Sequence, residues 1–227
     1  MQRSEPSGYF VAGTDTGVGK TLIACALLHS LRARGTRAIG MKPVAAGCTR
    51  TADGLRNEDI EALRLASSEA LSADAINCYA FEAAIAPHLA AGRKGVEMDI
   101  GTIERRFSEL AARFDAVVVE GAGGWLVPLN EQETFADLVV RLRLPVILVV
   151  GMRLGCLNHA LLTAEAIEKR GLSLAGWVAN QIDPQMQCFE QNVDALRTRI
   201  AAPLLTVARF QSLPDALNLA LPLSADA

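Results

Sequence analysis

The chain has 227 residues, enough to bury a core without staples, and 51% of them are apolar, which excludes a disordered polyelectrolyte. Twenty-two Lys and Arg against 25 Asp and Glu give a formal charge of −3, so no global basic field draws nucleic acid, and small anions need local cations. Five cysteines, an odd number without a CxxC or CxxH grouping, argue against a disulfide framework or a structural zinc site and suit small packing residues in a reducing compartment.

In chain order, residues 9–13 read as a strand and 20–34 as a helix ended by Gly35. Residues 37–41 form a second strand, 57–66 a short helix and 99–113 a longer one. A β-branched strand at 116–119 precedes a helix over 134–142, a strand at 146–150 and a helix over 158–170 stopped by Gly171. A strand at 174–179, a helix over 185–200, a strand at 204–207 and an irregular tail complete the chain. The runs AVVV and VILVV are apolar on both faces, as parallel strands covered by helices must be. Strand–helix alternation therefore predicts an α/β fold: a doubly wound, mostly parallel sheet with helices on both faces, one domain over 1–227. Such sheets bind ligands at the carboxyl ends of their strands. Residues 1–8 are polar, unlike a secretory leader, and no apolar run reaches the roughly 18–20 residues that span a bilayer, so a cytoplasmic location without membrane contact is expected.

The first strand runs into Gly13-Thr14-Asp15-Thr16-Gly17-Val18-Gly19-Lys20-Thr21 and then a helix, the context a phosphate loop requires, so the doubly wound sheet is expected to be of the P-loop NTPase type. Glycines let backbone N–H groups turn toward phosphate oxygens, and the helix N-terminus adds partial positive charge. Lys20 would reach the β- and γ-phosphates and the Thr21 hydroxyl would bind Mg²⁺. The spacing departs from the standard pattern, since Gly13 lies six rather than five positions before Gly19. An ordinary glycine-rich turn is the bland alternative.

Glu120 ends the strand at 116–119 and leads into Gly121-Ala122-Gly123-Gly124; a carboxylate at a strand tip beside a phosphate loop is where a further Mg²⁺ ligand is needed. Asp115, at the opposite end of that strand, reads as structural. The second strand delivers Lys42, held extended by Pro43, to the same sheet edge, where it could neutralise phosphoryl charge or remain a solvated surface lysine. Asp59, in the first turn of the 57–66 helix, is a candidate third Mg²⁺ ligand or a dipole-favoured acid. His88 reads as structural or supporting, His29 as surface or packing, Trp125 as lining the cleft and Trp177 as core.

The segments GTDTGVGKT (13–21), MKPVAAG (41–47), GLRNED (54–59), VEGAGG (119–124), LPVILVVG (144–151), LGCLNHALLT (154–163) and LAGWVAN (174–180) together resemble dethiobiotin synthetases. The resemblance implies an ATP-dependent, Mg²⁺-requiring ligase that makes dethiobiotin from 7,8-diaminopelargonate and CO₂ through a carbamate and a carbamic–phosphoric anhydride. It implies Lys42 as the catalytic lysine with Lys20 assisting, and Mg²⁺ on Thr21, Asp59 and Glu120. It places Gly17, Val18, Gly19, Lys20, Thr21 and Leu22 around the nucleotide, with Gly121, Ala122 and Gly123 opposite. Asn180 and Gln181, with Ala208, Arg209 and Phe210, fall at the base, leaving adenine and cytosine both open. Thr16 and Ala46 fall beside the substrate, Ala46 where relatives carry serine. Gly155, Cys156, Leu157 and Asn158 would hold the substrate carboxylate across a homodimer interface, by backbone rather than sulfur. Gly17 stands where some relatives have glutamate.

Three other readings remain. A P-loop amidoligase would carry an added glutaminase domain, for which the chain is too short. A partitioning-type ATPase that binds DNA or membrane would carry a lysine early in its P-loop, absent from Gly13-Thr14-Asp15. A non-catalytic binding module would not combine phosphate, metal and substrate segments.

Overall fold

A computed structural model describes residues 8–209 and 221–222. Its strands and helices follow in the order β1 (Gly8–Gly13), α1 (Lys20–Ala33), β2 (Ala38–Met41), β3 (Val44–Ala46), β4 (Thr49–Thr51), β5 (Gly54–Arg56), α2 (Glu58–Ala66), α3 (Ala73–Ile76), β6 (Tyr79–Phe81) and α4 (Pro87–Arg93). They continue with α5 (Ile100–Ala111), β7 (Ala116–Glu120), α6 (Phe135–Leu142), β8 (Val146–Met152), α7 (Cys156–Glu168), β9 (Leu174–Gln181), α8 (Phe189–Arg197) and β10 (Leu204–Arg209).

Six strands form a parallel sheet in the order β10-β9-β8-β1-β7-β2. Every residue of β7 and β8 is buried, as strands covered on both faces require. Helix α1 packs on β1, β2, β7 and α2, while α7 packs on β8, β9 and α8. Burial of α1 is nearly all-round, so its one buried hydroxyl, Ser30, bonds back to the Ala26 carbonyl. Because all six strands run the same way, the loops after β1, β2 and β7 emerge at one rim.

Helix starts follow local capping chemistry. The Asn57 side chain accepts from Asp59 N and Ile60 N, Asp99 accepts from Gly101 N and Thr102 N, and Thr134 forms a capping box with Asp137. The helix expected over 158–170 begins two residues earlier, at Cys156, because Gly155 serves as a left-handed N-cap (φ 94°). That expected over 185–200 is shorter, Phe189–Arg197, because the Asp183 side chain accepts from Gln185 N and Cys188 turns left-handed (φ 54°). Cys188 is therefore exposed, not a packing residue. Trp125, expected in the cleft, is instead buried, edge-on to Phe10 with ring centroids 6.3 Å apart; burying the ring against the core outweighs leaving it in water. Trp177 is core and His29 is exposed, as expected. Asp115 is structural: its carboxylate accepts Arg37 N–H at 2.8 Å. Between residues 42 and 98 the structure adds β3, β4, β5, α3, β6 and α4, none of which was anticipated. Among the described residues, no helix is long and apolar enough to cross a membrane.

Candidate active site

The loop between β1 and α1 is fastened from beneath. Thr14 N donates to Val149 O at 3.0 Å, and Asn180 Nδ2 donates to Val18 O at 2.8 Å. Gly19 has φ 91°, and a Cβ there would lie 2.2 Å from Asn180 Nδ2, so both conformation and space require glycine. Lys20, the first residue of α1, is buried and donates to two carbonyls, Asp15 O at 2.9 Å and Gly123 O at 2.7 Å. No carboxylate touches its Nζ among the described residues. Burial first, then the Lys42 charge, lower its pKa to about 8.

Beside it lies a cluster of opposite design. Lys42, just past β2, places Nζ 2.5 Å from Glu120 Oε1 and 2.9 Å from Asp59 Oδ2. Lys42 and Glu120 are 4% and 1% exposed, while Asp59 is 42% exposed and opens onto the cavity. Thr21 Oγ1 lies 2.7 Å from Asp59 Oδ1 and 2.9 Å from Glu120 Oε1. A hydroxyl has one proton and donates to only one carboxylate at a time, which leaves its lone pairs free for a cation. Burial alone would lower the Lys42 ammonium, but Glu120 and Asp59 outweigh it and hold the lysine charged. Burial pushes Asp59 up, yet Lys42 and the Thr21 hydroxyl bring it below the ordinary carboxylate range. Burial raises the enclosed Glu120 more than Lys42 lowers it.

Among the described residues, Glu120 Oε2 is buried without a hydrogen-bond partner, an expensive condition that a cation would relieve. The donors that meet here, two carboxylates and a hydroxyl, are all oxygen. That set fits Mg²⁺ shared with a phosphate ligand, not zinc. Among the described residues, no group of three or more His, Cys, Asp and Glu is placed to hold a metal.

This arrangement has counterparts in known proteins. Residues 7–217 match a family described as an AAA domain. The ATP-dependent dethiobiotin synthetase BioD of Aromatoleum aromaticum is 55% identical over 204 residues, which cover 90% of this chain and 91% of that protein. Its namesake from Nitrosospira multiformis is 52% identical over 212 residues, 93% of this chain and 92% of that one. The chain belongs to the dethiobiotin synthetase family. Among solved structures it resembles a ParA family ATPase from Chlorobium tepidum TLS (TM-score 0.56, 11% identity, 94% and 91% of the two chains). It also resembles the septum site-determining protein MinD from Pyrococcus horikoshii OT3 (TM-score 0.51, 14% identity, 95% and 87%). At such identities the likeness is one of fold, the P-loop α/β fold expected from the phosphate-loop motif and the strand–helix alternation.

Of the residues that the dethiobiotin synthetase resemblance singled out, Thr16, Gly17, Gly19, Lys20, Thr21, Lys42, Ala46, Asp59, Glu120, Ala122 and Gly123 border one cavity of about 730 Å³. Val18 and Leu22 are buried behind it, and Gly121 offers its carbonyl to Lys42 Nζ at 3.4 Å. Several others lie away from the cavity. Gln181 Nε2 donates to Asp183 O at 3.3 Å. Ala208 is buried in β10, and Arg209 pairs with Glu190 over the Phe189 ring. Phe210 lies outside the described residues. Gly155, Cys156, Leu157 and Asn158 form the first turn of α7 and do not border the cavity of their own chain. The Cys156 thiol is buried and raised by that burial, as befits a packing group. His88 borders a separate cavity near Glu97 and Glu133, with its Nδ1 buried and unpartnered.

Sequence reasoning missed the cavity's apolar wall of Val44, Ala45, Ile85 and Val127, and the polar Asn57. Asn57 carried a usable signal, an asparagine directly before a helix opening with Glu58-Asp59. The apolar wall carried none, because β3, which holds Val44 and Ala45, and the loops holding Ile85 and Val127 are too short to show a period.

Proposed function

We propose that this chain is an ATP- and Mg²⁺-dependent dethiobiotin synthetase that closes the ureido ring of dethiobiotin from 7,8-diaminopelargonate and CO₂ in the cytoplasm. The observation that carries the reading is the meeting of Lys20, Lys42, Thr21, Asp59 and Glu120 on one cavity in a chain of this family.

The chemistry needs two anions to collide. One substrate amine attacks CO₂ and loses a proton, giving a carbamate. A carbamate oxygen attacks the γ-phosphorus while its bond to the ADP oxygen breaks, giving a carbamic–phosphoric anhydride. The second amine attacks the carbonyl carbon, the C–O bond to phosphate breaks, and the ring closes with loss of a proton. No protein nucleophile is required, so positioning and electrostatics carry the rate. Lys20 exchanges its two carbonyl partners for the β- and γ-phosphates. Lys42, kept charged by its carboxylates, sets a fixed positive charge against the oxygens of the phosphoryl group in flight. Thr21, Asp59 and Glu120 would hold Mg²⁺, which when bound supplies further positive charge at those phosphates. The wall of Val44, Ala45, Ala46, Ile85 and Val127 suits the alkyl chain of the substrate and keeps water from the anhydride.

The substrate carboxylate is assigned to the N-terminus of α7 from a partner subunit. Supporting this, that first turn does not border its own chain's cavity, and Leu154, in the turn before α7, and Leu162, within it, are 96% and 57% exposed. A fully active monomer in sedimentation would rule the shared site out.

The direct test is incubation with 7,8-diaminopelargonate, bicarbonate, Mg²⁺ and either ATP or CTP. Mass spectrometry should show the ureido product matched mole for mole by released phosphate. Nucleotide hydrolysis with no ureido product would refute the reading.

A further inference from the structure

We propose that Asn77 is a positioning residue for Lys42: its side-chain amide takes the place of a missing backbone rung and fixes the angle at which the lysine enters the site. The inference rests on the catalytic role proposed for Lys42.

Lys42 sits where the chain leaves the main sheet. β2 is an edge strand, paired only with β7 through Met41↔Val119. Beyond that rung the chain pairs instead with residues 76–81. Lys42 N donates to Ile76 O at 2.9 Å, Pro43 O accepts Cys78 N and Tyr79 N, and β3 runs parallel to β6 from Val44↔Tyr79 onward. The carbonyl of Lys42 falls in the gap between these bonds. Asn77 N, which lies in the chain between Ile76 and Cys78, is already engaged, closing α3 on Ala73 O at 3.0 Å. The Asn77 side chain fills the gap, with Nδ2 donating to Lys42 O at 2.7 Å and to Tyr79 O at 3.2 Å. A primary amide nitrogen carries two protons, and both neighbours are pure acceptors, so the assignment of Nδ2 to this side is chemically determined.

The consequence for the site is directional. Pro43 fixes its own φ and restricts Lys42 to extended backbone, but it offers no N–H to tie that stretch to a neighbour. Without the amide, the peptide joining Lys42 to Pro43 would have no hydrogen bond to hold it, since the Lys42 carbonyl is its one hydrogen-bonding group. Nζ must reach Glu120 and Asp59 within hydrogen-bond distance, and a small rotation of that peptide is magnified along the lysine side chain. Asn77 does not itself border the cavity, and of the two residues its amide holds, Lys42 and Tyr79, only Lys42 does, so its route to the site runs through Lys42.

The test compares Asn77→Ala, which removes both donors, with Asn77→Asp, which keeps the size but can only accept. Both should bind ADP with Mg²⁺ as the unaltered protein does, since the phosphate loop is fastened separately through Thr14 and Asn180. Both should lose about tenfold or more in kcat with KM for ATP little changed, the pattern of a displaced catalytic group. Added to Lys42→Ala, neither substitution should slow the reaction further. Should Asn77→Ala not fold, Asn77→Ser, which retains one donor on a shorter arm, replaces it and should fall between Asn77→Asp and the unaltered protein. Full kcat in Asn77→Asp, or losses that multiply with Lys42→Ala, would overturn the positioning role while leaving the lysine assignment intact. Full activity in Lys42→Ala would overturn both.

Discussion

Two lysines face the same cavity, and their surroundings have almost nothing in common. Lys20 is held by main-chain carbonyls, Asp15 O and Gly123 O, and its pKa falls to about 8. Lys42 is held by side-chain carboxylates, Glu120 and Asp59, which keep it charged despite burial. The first arrangement is poised to accept an anion, since partial charges on carbonyls are easily exchanged for a phosphate. In the second the lysine is already paired, so its charge is in place before substrate arrives and needs no reorganisation during the reaction. One region provides binding and the other provides preorganised charge.

Removing the second lysine breaks that division most sharply. Lys42→Ala is expected to reduce kcat by about 10²–10³-fold, the loss seen when one preorganised stabiliser of developing charge is deleted. The fold should survive, because the enclosed Glu120, already raised by burial, can take up a proton rather than remain an uncompensated anion. Steady-state kinetics beside a thermal melt separates the two effects. A variant retaining near-normal ring closure would show that the two lysines are not divided as described.

The two regions were unequally legible in the sequence. The phosphate loop announced itself, because strand, glycine-rich turn and helix are consecutive and each follows a local rule. Glu120 was readable because β7 is a fully buried β-branched run whose last residue must emerge at the rim. Lys42 and Asp59 were readable as candidates, but the structure supporting them was not. The strands β3, β4, β5 and β6 are three residues each, too short to show a period, and the pairing of 44–46 with 79–81 joins segments more than thirty residues apart. The Asn77 amide standing in for a backbone donor leaves no local trace at all. Trp125 misled for a related reason: a tryptophan after a glycine run reads equally well as cleft or core, and its contact with Phe10 of β1 is long-range.

A pH titration sharpens the comparison without altering the regions' shape. In the unliganded protein Lys20 loses its proton near pH 8, whereas a bound phosphate would keep it protonated. Affinity for ADP with Mg²⁺ should therefore weaken as pH rises through about 8, approaching tenfold per pH unit above it. Stability of the unliganded fold should move the other way. Lys20 titrates below its ordinary value of 10.5, so between about 8 and 10.5 the unfolded chain binds more protons, and this group's contribution favours the fold as pH increases. Repeating the binding titration in Lys42→Ala isolates the coupling. With the neighbouring ammonium gone, the break should shift to higher pH, and an unmoved break would mean that the two lysines do not sense each other.

The smallest expected effect concerns Asn57, which serves the second region from its margin. Its side chain caps α2 through Asp59 N and Ile60 N, at 3.1 and 3.3 Å, and so fixes the backbone of the residue whose carboxylate faces both Lys42 and Thr21. Loss of a capping asparagine costs about 1 kcal/mol of stability. Asn57→Ala should show that loss in a denaturant melt, with a modest rise in the Mg²⁺ concentration needed for half-maximal activity, because Asp59 would be less firmly presented. Asn57→Asp restores the cap and should recover the stability. Thr21 reaches Asp59, but the phosphate loop itself is fastened through Thr14 and Asn180, so ADP affinity at saturating Mg²⁺ should not change in either variant. A weakened ADP affinity under those conditions would mean that the two regions share a mechanical dependence, which their separate hydrogen-bond anchors argue against.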